Sequence, residues 1–176
     1  MVLIFLRHPT PDVPAGTCYG QTDLDIAEIG HDQIANAIKV TPHVKRVIAS
    51  PALRCRKLAI SIAKRHNLTP TYDERLWEMN MGEFEGQLWA EIDRTKSEKW
   101  LEDPMNNSTP GGESFQDVQN RVLEALKQAD METAIVCHAG VIRATQMAWE
   151  GLTFEQVFEA MPPYAEPVRI IPPEHQ

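Results

Sequence analysis

The sequence predicts an α/β protein: a three-layer α/β/α sandwich around a mainly parallel central sheet. Three observations carry that prediction. Short apolar runs, Val2-Leu3-Ile4-Phe5-Leu6 and Thr133-Ala134-Ile135-Val136-Cys137, read as strands covered on both faces. Longer stretches with apolar residues at helical spacing alternate with them. Three of the strands hand over to a helix or loop through a junction that carries Arg or His. At 176 residues the chain suits one domain, 1–176, with a lid or insert expected around residues 76–112.

The first strand ends on Arg7-His8, and Pro9 stops further ladder pairing. Residues 10–20 are rich in Pro and Gly and read as a loop. Residues 25–40 read as a helix through Ile26, Ile29, Ile34, Ala37 and Ile38, with Gly30 as a weak point. Residues 44–49 form a second strand. Ser50 then stands as an N-cap and Pro51 as a first helical position. Cys55, Leu58, Ala59, Ile62 and Ala63 make one apolar helix face, with Arg54 in its first turn. A short strand over 68–72 and an irregular stretch over 76–86 follow, then a helix over 88–101. Residues 103–112 hold Pro, Asn and Gly and read as a surface loop expected to cover the site. A helix over 114–129 starts with Ser-x-x-Asp and presents Phe115, Val118, Val122 and Leu126. The strand over 133–137 leads into His138 and a further helix marked by Val141, Ala144, Thr145 and Ala148. The last strand covers 167–171.

Composition narrows the function classes. The net charge is -8, and no basic block offers a nucleic-acid surface. No apolar run approaches the roughly 20 residues of a membrane helix. The N-terminus lacks a basic start followed by an apolar run and a cleavage site. Cys18, Cys55 and Cys137 are odd in number and lack CxxC spacing, which argues against a disulfide framework or thiolate zinc site. The expectation is a cytoplasmic protein without nucleic-acid or membrane partners. Monomer and homodimer are both open.

Arg7, His8, Arg54 and His138 all fall at strand ends or at the helix starts that follow. In a right-handed βα fold those ends share one sheet edge. Two guanidinium forks and two imidazoles in one crevice suit a tetrahedral oxyanion. The chain shows no glycine-rich phosphate loop, Asp-rich magnesium site or Cys-x5-Arg loop. Histidine is the available nucleophile for phosphoryl transfer, and a carboxylic acid is needed for the leaving alkoxide.

The chain resembles the histidine phosphatase superfamily, in its phosphoglycerate-mutase-like branch. The motifs are Leu6-Arg7-His8, Ser50-Pro51-Ala52-Leu53-Arg54, Leu76-Trp77-Glu78 with Gly82-x-Phe-Glu-Gly86, Pro110-Gly111-Gly112-Glu113-Ser114 and Val136-Cys137-His138-Ala139-Gly140. Cys18-Tyr19-Gly20-Gln21-Thr22-Asp23 looks most like the small bacterial α-ribazole phosphatases. The resemblance implies a metal-independent phosphomonoester hydrolase with no cofactor, acting on a small phosphorylated substrate through a phosphohistidine intermediate. It implies His8 as nucleophile, Arg7, Arg54 and His138 as phosphate ligands, and Glu78 as proton donor. Gly20 and Gln21 sit where relatives contact the rest of the substrate. Some relatives draw the acid from an Asp after the second histidine, where this chain has Ala139; Glu83 and Glu85 stand as further carboxylates near Glu78. Pro9 replaces the usual Gly of Arg-His-Gly, and Asp12 stands where mutases carry a neutral polar residue.

Rival readings stay open on sequence alone. Mutase-type phosphoryl transfer is the nearest, although mutases of this kind are typically longer. A non-catalytic phospho-ligand module is another. A metal hydrolase using His8, His138 and Glu78 would set Arg7 and Arg54 beside a cation, an unfavourable arrangement. A hydrolase using Cys137 with His138 conflicts with strand geometry, because neighbours point to opposite faces.

Overall fold

The computed structural model describes residues 2–130 and 132–173. A five-stranded sheet runs in the order β3-β2-β4-β1-β5. Its strands are β1 (Leu3–Arg7), β2 (Arg46–Ala49), β3 (Thr71–Tyr72), β4 (Thr133–Cys137) and β5 (Pro167–Ile170). The first four are parallel, and β5 pairs antiparallel with β1. Helices α1 (Glu28–Val40) and α2 (Leu53–Arg65) cover one face; α4 (Phe115–Leu126) and α5 (Ala139–Glu150) cover the other. The short α3 (Arg94–Leu101) and α6 (Phe154–Glu159) lie beyond the second face. The expected three-layer sandwich is therefore observed.

Strand alternation divides the core in two. Ile4, Leu6, Val47, Ala49, Ala134 and Val136 pack against α2 through Cys55, Leu58, Ala59 and Ile62. Leu3, Phe5, Ile48, Ile135 and Cys137 pack against Val118, Val122, Val141 and Ile142. Each fully buried leucine-sized side chain contributes about 1.5–3 kcal/mol, so the two layers hold the strand ends firmly.

Element boundaries differ from expectation where tertiary partners take the backbone. α1 starts at Glu28 rather than near residue 25, because Ile26 bridges to Pro11 and Ala27 N donates to Thr10 O. Ser50-Pro51 does not open α2: Leu53 is its first residue, and the Asp23 carboxylate caps it by accepting from Leu53 N at 2.7 Å. β3 is only two residues, since Pro70 has no N–H for the ladder. The helix expected over 88–101 begins at Arg94; Leu88 instead bridges to Thr17, and Asp93 caps the shorter helix. Ser114 and Asp117 form the expected capping box of α4. α6 was not expected, although its Thr153–Gln156 capping box is visible in the sequence. No helix among the described residues is long and apolar enough to cross a membrane.

Candidate active site

Register sets the site. β1 pairs β4 with Arg7 opposite Cys137, so the next residues, His8 and His138, emerge side by side. Their ring centroids are 5.2 Å apart. β2 pairs β4 with Ala49 opposite Val136, which brings Ser50 and the start of α2 to the same edge. Arg7, His8, Arg54 and His138 thus converge, as expected from their places at strand ends.

Each group is fixed by bonds that define its chemistry. The Nδ1–H of His8 donates to the carbonyl of Pro9 at 2.7 Å. A carbonyl only accepts, so the proton sits on Nδ1 and the lone pair on Nε2. Pro9 therefore serves through its carbonyl, which the missing N–H does not impair. Burial, followed by the charge of Arg54, holds the His8 pKa well below the ordinary imidazole value. The same two causes depress His138. Arg54 can only donate, so its contact to His138 Nδ1 at 3.3 Å makes that nitrogen the acceptor. The His138 Nε2–H then donates to Ser50 Oγ at 2.8 Å. Ser50, expected as a helix cap, belongs to the site instead.

Arg54 is fully buried, and Arg7 is 6% exposed. Arg54 donates to Gly20 O at 2.8 Å and Thr22 O at 2.9 Å. Arg7 donates to Pro162 O at 3.0 Å, and its guanidinium lies 3.7 Å from the centre of the Tyr164 ring. Among the described residues neither arginine forms an ion pair, and each keeps a buried Nε–H without a partner. Two buried cations lacking counter-charges beside two neutral imidazoles make a seat for an anion.

Glu78 stands across from this seat. Its carboxylate accepts from Gly140 N at 3.1 and 3.2 Å, at the first turn of α5. A Cβ on Gly140 would lie 2.2 Å from Glu78 Oε1, so only glycine allows this approach. Arg121 holds the segment from behind. It donates to the carbonyls of Arg75, Trp77 and Glu78 and pairs with Glu113 at 2.7 Å. Sequence reasoning missed Arg121, because a half-buried arginine in the middle of an amphipathic helix carries no motif.

The other expected residues divide. Gly20 presents its carbonyl to Arg54, and a Cβ there would lie 1.9 Å from Met79 O. Gln21 donates to the Glu78 carbonyl at 3.3 Å. Neither lines the cavity beside His8. Glu85 accepts from the Thr22 hydroxyl and from Gln21 N, Met81 N and Thr22 N, and Glu83 pairs with Lys96 on the surface. Burial tends to raise the Glu85 pKa, but these hydrogen bonds together hold it below the ordinary carboxylate value. Cys137 is fully buried in the α4/α5 layer, and burial raises its thiol pKa well above the ordinary value, which removes the cysteine-nucleophile reading. Among the described residues no three His, Cys, Asp or Glu side chains are grouped to hold a metal ion.

A cavity of about 240 Å³ opens from this centre, with Arg7, His8, Tyr19, Glu78 and Gly140 at one end. Its far end is lined by Met79, Met81, Trp89, Trp100, Phe115, Phe154, Phe158 and Met161. Residues 103–112 contribute no lining. They dock on residues 80–83, where Pro110 O accepts from Glu83 N and Thr109 Oγ1 donates to Asn80 O at 3.3 Å. Arg143 also lines the cavity, donating to Val157 O at 2.9 Å and Ala160 O at 3.3 Å.

The chain is similar to known proteins. The chain is 28% identical over 166 residues to the putative phosphoserine phosphatase 2 of Hydrogenobacter thermophilus, covering 89% of this chain and 82% of that one. It is 28% identical over 169 residues to the glucosyl-3-phosphoglycerate phosphatase of Mycolicibacterium vanbaalenii, covering 85% and 74%. The crystal structure of TTHB049 from Thermus thermophilus superposes with a TM-score of 0.75 at 27% identity, covering 97% of this chain and 93% of that one. The family described as "Histidine phosphatase superfamily (branch 1)" matches residues 3–173, a span that includes every strand end described above. The chain belongs to that superfamily, and it is a phosphatase.

Proposed function

We propose that the protein hydrolyses small phosphate monoesters without a metal ion, through a phosphohistidine at His8. The observation that carries this is the pair of buried arginines without counter-ions beside a histidine whose Nδ1–H is committed to a backbone carbonyl. Arg7 and Arg54 take the phosphoryl oxygens, and the lone pair of His8 Nε2 attacks phosphorus in line with the leaving oxygen. A phosphoryl group bound between the two histidines favours the charged form of His138, while His8 stays neutral and keeps its Nε2 lone pair. His138 then takes up a proton, and its Nδ1 becomes a third donor. Glu78 gives its proton to the leaving alkoxide. Water next attacks the phosphohistidine while the Glu78 carboxylate accepts its proton, releasing inorganic phosphate and restoring His8.

For the leaving alcohol, two supports point in different directions. Residues 18–23 favour α-ribazole phosphate; the printed names of the relatives favour phosphoserine or glucosyl-3-phosphoglycerate. The mechanism is tested with p-nitrophenyl phosphate. Wild type turns it over with or without EDTA, and His8→Ala loses on the order of 10⁴-fold or more. Acid-labile labelling that persists in His8→Ala, or activity abolished by the chelator, would overturn the proposal.

A further inference from the structure

The far end of the cavity is not built for a small polar alcohol. Two stacked aromatic pairs line it from separate parts of the chain. Trp89 and Trp100 lie 6.3 Å apart between ring centroids at 21°, and Phe154 and Phe158 lie 4.3 Å apart at 23°. Trp89 is 44% exposed and Phe158 is 41% exposed, so apolar surface is left uncovered at the mouth. Trp100 keeps a buried indole N–H without a partner among the described residues.

A carboxylate-bearing alcohol such as serine would meet one cation here, Arg143, which forms no ion pair among the described residues. No lysine lines the cavity, and Arg7 belongs to the phosphate end. Arg143 spends its Nε and one terminal nitrogen on the carbonyls of Val157 and Ala160. Its guanidinium also lies 4.0 Å from the centre of the Phe158 ring. Arg143 thus holds the α6 wall in place beside α5.

From these walls we infer that the preferred leaving group carries an aromatic or heteroaromatic ring, which rests on the hydrolase reading above. The ring packs between or against the tryptophan and phenylalanine pairs, and a hydrogen-bond acceptor on it would satisfy the Trp100 N–H. Ring burial recovers apolar area that the free protein exposes.

The test compares primary-alcohol esters, so that intrinsic leaving ability stays similar: 2-(1-naphthyl)ethyl phosphate, n-butyl phosphate and O-phosphoserine. The naphthyl ester is expected to exceed both others in kcat/KM by about tenfold or more. That preference ratio is expected to shrink several-fold in Trp89→Ala and in Phe158→Ala. Equal or better turnover of phosphoserine, or a ratio unmoved in both variants, overturns the aromatic assignment and leaves the hydrolase reading intact. Failure of wild type to hydrolyse any ester, p-nitrophenyl phosphate included, overturns both.

Discussion

The two ends of the cavity are built from different material. At the phosphate end, Arg7, His8, Arg54 and His138 come from three adjacent strands, β2, β4 and β1, and the helices that follow two of them, while Tyr19 and Glu78 come from loops. The two arginines and two histidines are buried, and each is tied to backbone or to another site residue. The leaving-group end comes mainly from residues 79–100, which are largely irregular, and from the six-residue α6 and Met161 after it, with Phe115 of α4 behind them. Its residues are large, apolar and in part exposed. On the proposed reading, the difference places phosphoryl binding on the sheet and leaving-group selectivity on segments whose backbone the sheet does not fix. Changes at Arg7, His8, Arg54 or His138 should affect all esters alike, changes that reach Glu78 should separate esters by how much their leaving oxygen needs a proton, and changes at the second end should alter ratios by the shape of the leaving group.

Arg54→Lys gives the sharpest test of that division. Lysine keeps the charge but loses the fork that reaches both Gly20 O and Thr22 O. Steady-state kinetics should show about 10²–10³-fold loss in kcat/KM, equal for aryl and alkyl esters. A loss confined to one ester class would break the comparison.

Gly140→Ala should come next. The added methyl pushes the Glu78 carboxylate off its helix-start amide. Alkyl phosphates, which need a proton on the leaving oxygen, should lose about 10²-fold in kcat. p-Nitrophenyl phosphate, whose leaving group departs as a stable anion, should lose much less. Equal losses on both would mean that Glu78 is not the acid.

Arg121→Met is expected to be milder, because Arg121 acts through Glu78 and not on the substrate. Loss of its bonds to three carbonyls and to half-buried Glu113 should cost about 2–3 kcal/mol of stability in denaturant melts. The kcat for alkyl esters should drop about tenfold with KM little changed. An unchanged ratio of alkyl to aryl turnover would leave Arg121 with a purely structural role.

The smallest effect expected is in the pH dependence of stability. His8 and His138 have folded pKa values depressed well below the ordinary value near 6.5. As pH falls below about 6.5, the unfolded chain therefore binds protons that the folded chain does not, and stability drops. Thermal melts should show a falling Tm on acidification through that window. Inorganic phosphate should flatten the fall, because it favours the charged imidazole of His138 in the folded state. A Tm that rises on acidification would contradict the depressed values.

The apolar runs of β1 and β4, the helical face from Cys55 to Ala63 and the capping box at Ser114 were legible because each is a local pattern. Arg7, His8, Arg54 and His138 were legible for a related reason: position at a strand end is itself a sequence property. The helix starts at 28, 53 and 94 were not, since Pro11, Asp23 and Thr17 supply their competing or capping partners from distant parts of the chain. Likewise, the aromatic residues at 89, 100, 154 and 158 have no common spacing, and nothing local says that they meet.

By itself, then, the sequence determined the layers of the sandwich, the order of the strands and of every helix but α6, and the four Arg and His groups proposed to hold phosphate. These follow from periodicity and from where a buried strand must stop. Only the tertiary structure decided that Ser50 serves His138 instead of a helix, that Arg121 and Gly140 set Glu78, and that two aromatic pairs line one cavity. Those facts depend on sheet register and on loops docked across the fold, and contacts between residues far apart in sequence arise only when the chain closes on itself.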